Sequence, residues 1–261
     1  MHSIEIFQID AFTDKIFHGN PAAVCILSEW LNDELMQAIA VENNLSETAF
    51  VIEDKGGFHI RWFTPNGEIS LCGHATLAAG FVLHELGKCH GDKVHFSSLS
   101  GQLAVSKKAN RYTLDFPRLT YQRSKKIELI ASLLDKPSVD IFESDLDYLV
   151  LLADEEMVSD AQVDLKALAK LPKRGLIITA SSSEADFYSR CFYPKHHIPE
   201  DPVTGSAHCV LAPFWAERLN KKILTAIQGS FRKGEISCEV KDDRVYLSGS
   251  CKWYLKGHLV I

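Results

Sequence analysis

The stretch RWFTPNGEISLCGHATLAAGFVLHELG (residues 61–87) sets out an arginine-bearing aromatic strand, a proline, a polar loop, a glycine and an apolar helix, in that order. The same order of parts returns in RCFYPKHHIPEDPVTGSAHCVLAPFWAERLN (190–220). The identity between the two copies is thin, so the shared order carries the comparison, and each copy leads into a β-rich tail. Residues 75–86 are apolar nearly all round, with Gly87 as a C-terminal stop. Such a helix belongs inside a wrap of sheet, not on a surface. A second apolar helix is predicted over 207–219, with a kink at Pro213. The repeat implies an internal duplication: an α/β (α+β) chain of two similar domains, about 1–117 and 118–261. A cleft between two such domains is a favoured place for a small-molecule site.

Working outward, IEIFQIDAF (4–12) alternates as a strand and GNPAAVCIL (19–27) reads as a turn and a second strand. Asn32 or Asp33 can cap a helix over about 33–43. ETAFVIED and FHIRWFT form strands turned at Gly56-Gly57, and GQLAVSK and RYTLDFP form strands turned at Ala109-Asn110. Residues 118–123 read as a linker. SKKIELIASLLD predicts a capped amphipathic helix closed by Pro137, and DLKALAKL a short helix ended by Pro172. YLVLLA (148–153), GLIITA and DFYSRCFYP read as strands, and 235–261 as a three-stranded meander turned at Asp242-Asp243 and Gly249.

Composition excludes several functions. Of the 261 residues, 46% are hydrophobic and 24% charged, and the net charge of −6 argues against a general nucleic-acid or membrane-surface binder. The first residues lack a positive region and an apolar run, so no signal peptide is expected, and no apolar run is long enough to span a bilayer. Seven cysteines without CxxC spacing, mostly among aliphatic neighbours, fit reduced thiols in a cytoplasmic protein better than a disulfide framework or a zinc site. His196-His197 with Asp201 lacks ligand spacing, so no metal is expected. No dinucleotide or P-loop motif is present.

Each glycine–helix junction places backbone N–H groups at a helix N-terminus, where the macrodipole favours an anion. Gly73 and Gly205 permit close approach, and His74 and Ser206 stand just after them. Facing domains would bring both termini to one pocket suited to a carboxylate; the plainer reading is turn glycines and a capping serine. Asp201 precedes Pro202 and is therefore held extended, out of the helix. There it makes a good acceptor and a poor general base, or simply caps a turn. In NLSETAFVI (44–52), alternation puts Glu47, Ala49 and Val51 on one face. If that face is core, the carboxylate is desolvated and becomes able to take a proton from one carbon and return it to another. An exposed glutamate is the commoner alternative.

At GNPAAVCIL, LSETAFV, RWFTPNGEISLCGHATLAAG and DPVTGSAH the chain resembles the PhzF-like isomerases, named for the phenazine-biosynthesis enzyme. The resemblance runs over nearly the whole length with the motifs in the family's order. It implies two similar domains, each a barrel-like, mostly antiparallel sheet around a central apolar helix, as in diaminopimelate epimerases. It also implies a proton-transferring glutamate at Glu47, an active-site histidine at His74 beside Gly73, and an aspartate and serine at Asp201 and Ser206. The chemistry implied is a cofactor-free proton shift on a small carboxylate-bearing substrate, and the assembly a homodimer. The related epimerases keep a catalytic thiol where Cys72 stands, but need a second one on the opposite face of the substrate carbon. Here Pro202 and Thr204 occupy the likely places of that partner, and Cys209 falls a turn into the helix. Cys72 is therefore read as a small buried hydrophobe. An amino or hydroxy acid epimerase, and a binding protein that has lost the chemistry, are the alternatives.

Overall fold

A computed structural model describes residues 3–89 and 91–261. The chain divides into two units, one running to Asp115 and completed by Ser248–Ile261, the other spanning Phe116–Leu247.

In the first unit the strand Ser3–Ala11 is flanked, antiparallel on both sides, by Cys251–Val260 and Asn20–Leu27. Glu47–Asp54 then joins Asn20–Leu27 in parallel. That crossover is made through the helix Asp33–Asn43, capped by Asn32, whose side chain accepts from the Leu35 amide. A cap of this kind is worth about 1 kcal/mol. Gly57–Thr64 pairs antiparallel with Glu47–Asp54. Lys93–Ser98 lies parallel to Gly57–Thr64, reached through the helix Gly73–Glu85, and Gly101–Lys108 closes antiparallel on it.

The second unit repeats this order of senses. Tyr121–Arg123 and Asp147–Leu151 flank Asp140–Ser144 antiparallel. Gly175–Ser181 is parallel to Asp147–Leu151, and Phe187–Tyr193 is antiparallel to Gly175–Ser181. Ile223–Gln228 lies parallel to Phe187–Tyr193 after the helix Gly205–Leu219, and Gly234–Lys241 pairs antiparallel with it. The duplication is thus one of topology: two similar, mostly antiparallel sheets, each with an apolar helix at the same point.

The tail departs from the expected 118–261 half. Cys251–Val260 is not the third strand of a C-terminal meander; it pairs with the first strand, from Ser3↔Val260 to Ala11↔Cys251, with an irregularity after Gln8. It fills in the first unit the place that Tyr121–Arg123 fills in the second. Alternation marks a strand but does not say which edge it completes, and Ser3–Ala11 would otherwise present an unpaired edge.

Both central helices are enclosed. Every residue from His74 to Leu83 is buried. Small residues let the sheet come close: a Cβ on Gly80 would stand 2.5 Å from a methyl of Val105. The second helix is buried from Ala207 to Trp215 and runs through Pro213. Proline has no N–H for the Cys209 carbonyl four residues back. That carbonyl instead accepts from the Leu119 amide at 3.0 Å, so the residues read as linker satisfy the helix.

The two repeated arginines are structural. Arg61 grips Glu68 through two nitrogens and reaches Asp33 at the start of the preceding helix. Arg190 grips Glu200 in the same way and donates to the carbonyls of Val158, Ser159 and Ala161. Those carbonyls end a helix, Glu155–Asp160, that the pattern did not disclose and that Asp154 caps. The helix expected from SKKIELIASLLD shrinks to Ile127–Ala131 and lacks a side-chain cap. Among the described residues no helix is long and apolar enough to cross a membrane.

Candidate active site

Glu47 opens its strand three residues after the left-handed cap Asn44 of the preceding helix. Its strand is buried on both faces, with Thr48, Ala49, Phe50 and Val51 all at most 1% exposed, as suits a strand with a parallel neighbour. Glu47 itself is 7% exposed. The strand start delivers its carboxylate to the N-terminus of the helix Gly73–Glu85, where Oε2 lies 3.1 Å from Nε2 of His74. The contact is close but not aligned as a hydrogen bond, so these two buried atoms lack a hydrogen-bond partner. Orphaned buried polar atoms are uncommon in folded proteins and call for a reason; a substrate atom would supply one.

The other edge of the His74 ring is held from the protein side. Nδ1 is 3.2 Å from the Asn20 amide nitrogen and 3.6 Å from Sγ of Cys72. Burial opposes a charge on His74, but Cys72 and Glu47 beside it outweigh burial and hold the imidazole well above its ordinary value. Burial, with the Glu47 charge, pushes the Cys72 thiol up to about 11. A thiol pushed up by burial is protonated at neutral pH and carries no field, so the carboxylate of Glu47 is the charge that favours a protonated His74. Gly73 begins the helix, and its N-cap Cys72 makes no side-chain capping bond. The helices begun by Asp33 and Glu155 do have such caps. An uncapped N-terminus leaves amide donors for an external anion.

In the second unit, Gly205 likewise opens a helix without a side-chain cap. Asp201 is 7% exposed and accepts from the Thr204 hydroxyl. Gln228, fully buried, bridges the same turn: its Oε1 accepts from the Thr204 amide at 2.9 Å and its Nε2 donates to the Asp201 carbonyl at 2.9 Å. Asp201 thus shapes the turn that precedes the helix, consistent with an acceptor role. Ser206 is half-buried and accepts from Nη1 of Arg174 at 2.9 Å.

Among the described residues the group whose donors could gather on a metal is Glu47, Cys72 and His74, all buried, with one donor atom each within 4.8 Å of the others. The closest approaches of Cys72 and Glu47, however, are to different ring nitrogens. Approach from opposite edges suits an imidazole held between the two side chains better than three ligands collected on one ion. His196, His197 and Asp201 do not assemble into a metal-binding group among the described residues.

Three residues of these networks escaped sequence reasoning. Asn20 is fully buried at a strand start, and a polar residue opening the apolar run PAAVCIL was the available signal. Gln228 ends the strand ILTAIQ in the same way. Arg174 carried no signal, because arginines ahead of a strand are ordinarily solvated.

The model of the family described as phenazine biosynthesis-like protein matches residues 9–258. An uncharacterized isomerase of Pseudomonas aeruginosa is 47% identical, covering 98% of each chain. The crystal structure of a PhzF-family phenazine biosynthesis protein from Enterococcus faecalis superposes with a TM-score of 0.95 at 44% identity over 100% of both chains. A hydroxyproline epimerase from Agrobacterium vitis shares the fold alone, with a TM-score of 0.65 at 9% identity over 99% of this chain and 91% of its own.

Proposed function

The chain belongs to the phenazine biosynthesis-like family and is an isomerase by that kinship; on this premise we propose that it shifts a proton between carbons of a small carboxylate-bearing substrate, without a cofactor. The observation that carries the reading is the buried pair of Glu47 and His74, 3.1 Å apart with facing atoms that have no hydrogen-bond partner. Glu47 takes a proton from a carbon next to a carboxylate or conjugated system. The electron pair moves into that system, and Glu47 returns the proton to another carbon of it, so no oxidant or reductant enters. Cationic His74 and the amides of the helix begun by Gly73 stabilise the negative charge that develops. Asp201, Gly205 and Ser206 are assigned to substrate binding in the same proposal; the uncapped helix at Gly205 supports this. The reading includes a homodimer in the cytoplasm, and seven free cysteines support a reducing compartment.

An epimerase working through two thiols is less well supported. Cys209, the cysteine that follows Gly205, is 4% exposed and its Sγ donates to the carbonyl of Gly205 in its own helix.

The test is proton exchange. A panel of cyclic and linear 2-amino and 2-hydroxy acids is incubated in deuterated water and read by NMR, with wild type and Glu47→Gln. Deuterium entering a carbon with wild type but not the variant supports the assignment and names the substrate class. Equal exchange by both proteins removes Glu47 as the base; binding without exchange indicates a protein that has kept the fold and lost the chemistry.

A further inference from the structure

The repeated topology permits a residue-by-residue comparison of the two units. Arg61 stands opposite Phe50, and its counterpart Arg190 stands opposite Ile178. Three residues back along each strand lie Glu47 and Gly175. Arg174 therefore immediately precedes the position that matches Glu47. His74 and Ser206 match as well, each following the glycine that opens a central helix. In both units a side chain at the start of this strand reaches the residue after that glycine: Glu47 to His74 at 3.1 Å, and Arg174 to Ser206 at 2.9 Å.

Arg174 is built into place. Its Nε and Nη2 grip the carboxylate of Asp147, 1% exposed, at 3.0 and 2.6 Å, leaving Nη1 for Ser206. The guanidinium lies over the ring of Tyr193, 4.7 Å from its centroid. Gly175 makes room for that ring, since a Cβ there would stand 2.3 Å from it. Asp147 balances the arginine's charge, so Arg174 serves here as an oriented donor more than as a free cation. A hydroxyl has one proton and two acceptor positions. With an acceptor position of Ser206 engaged by Arg174, its proton is free to be given to something else.

We propose that Arg174 is a positioning residue for anion binding: it holds the Ser206 hydroxyl so that its proton is donated to a carboxylate oxygen of the ligand. Where the first unit bears the proton-transferring group, the second bears an anion-orienting one a single residue earlier, with Gly175 at the matching position itself. This rests on the reading of Ser206 as a substrate-binding residue.

Benzoate is the probe, with binding measured by calorimetry. Arg174→Met alone would strand the buried Asp147 carboxylate, so the variant used is the double change Asp147→Asn with Arg174→Met, which removes both charges together. Ser206→Ala and the triple variant complete a cycle. Wild type is expected to bind benzoate. The double change and Ser206→Ala are each expected to weaken binding ~10-fold or more, as loss of a hydrogen bond to a charged group does. The triple variant should be no worse than either, because one interaction has been removed twice. Arg174→Lys should fail to restore binding, since an ammonium cannot hold Asp147 at two points and Ser206 at a third. Benzoate binding unchanged by the double change, losses that multiply in the triple variant, or wild type that does not bind benzoate would overturn the proposal. The cycle reads binding and not turnover. Failure of proton exchange across the panel would therefore remove the acid–base reading and leave this one standing, and intact exchange with an unaltered cycle would do the reverse.

Discussion

Sγ of Cys72 lies 3.6 Å from Nδ1 of His74, whereas Glu47 approaches the ring at Nε2. The thiol, pushed up to about 11 by burial and by the Glu47 charge, is protonated at pH 8. It therefore packs beside the histidine without relaying protons. Cys72→Ser is expected to keep proton-exchange activity within about tenfold of wild type and to lose roughly 1 kcal/mol of stability. Iodoacetamide at pH 8 should leave Cys72 unmodified in the folded protein, as read by peptide mass spectrometry. Abolished exchange in Cys72→Ser would revive the two-thiol epimerase.

The charge on His74 depends on Glu47. Imidazole signals followed by NMR should show His74 cationic in wild type well above pH 6.5, the ordinary histidine value. In Glu47→Gln the supporting carboxylate is gone and burial is opposed only by the neighbouring Cys72, so the titration should fall from its wild-type position. The linkage has a definite sign. A histidine whose folded value is raised contributes stability that is fully present below its unfolded value and is lost as pH rises through the folded one. The stability gap between wild type and Glu47→Gln should therefore narrow as pH rises across that window. A His74 titration unmoved by the substitution would show that the pair is not coupled.

What could be read in the chain, and what could not, follows from the range of each interaction. The central helices were legible because an all-round apolar run with small residues has few other places to go, and the glycine before each is local. Glu47 and His74 could be named separately, but they lie 27 residues apart, and their 3.1 Å contact needs a strand start brought to the first turn of a helix. Asn20, 54 residues from His74, lay further out of reach. The pairing of Cys251–Val260 with the first strand joins the chain's two ends, which no local pattern encodes. Pro213 predicted a kink from its missing N–H; the partner that settles the orphaned carbonyl, Leu119, sits in what read as a linker.

Gly80 is needed for closeness. Its Cβ would meet the branched side chain of Val105 at 2.5–2.8 Å. Gly80→Ala gains about 1 kcal/mol of helix propensity in principle. Overpacking against a β-branched strand residue costs about 1–3 kcal/mol, so net destabilisation is expected, seen as a lower urea midpoint. Val105→Ala in the same chain should recover part of the loss, since the two changes share one contact. A Gly80→Ala protein as stable as wild type would show that the sheet moves aside freely.

Acid sensitivity should be concentrated at His208. It is fully buried in the first turns of the second central helix, and its Nδ1 bonds the Thr204 carbonyl at 2.8 Å. The carbonyl can only accept, so Nδ1 carries the proton, and Nε2 has no hydrogen-bond partner to receive a second one. Burial pulls its value from 6.5 down to about 4. Between those values the unfolded chain binds a proton that the folded one refuses, so stability rises with pH across the window and is lost as pH falls through it. The full span is worth roughly 3 kcal/mol at 1.36 kcal/mol per unit. His208→Gln can keep a donor toward Thr204 but has nothing to titrate. Denaturant unfolding at pH 7 and at pH 4 should show wild type losing more stability than the variant, by up to that amount, while other groups titrating in the window cancel from the comparison. Parallel losses in the two proteins would mean that His208 accepts its proton without unfolding the helix start, and that the acid-sensitive element lies elsewhere.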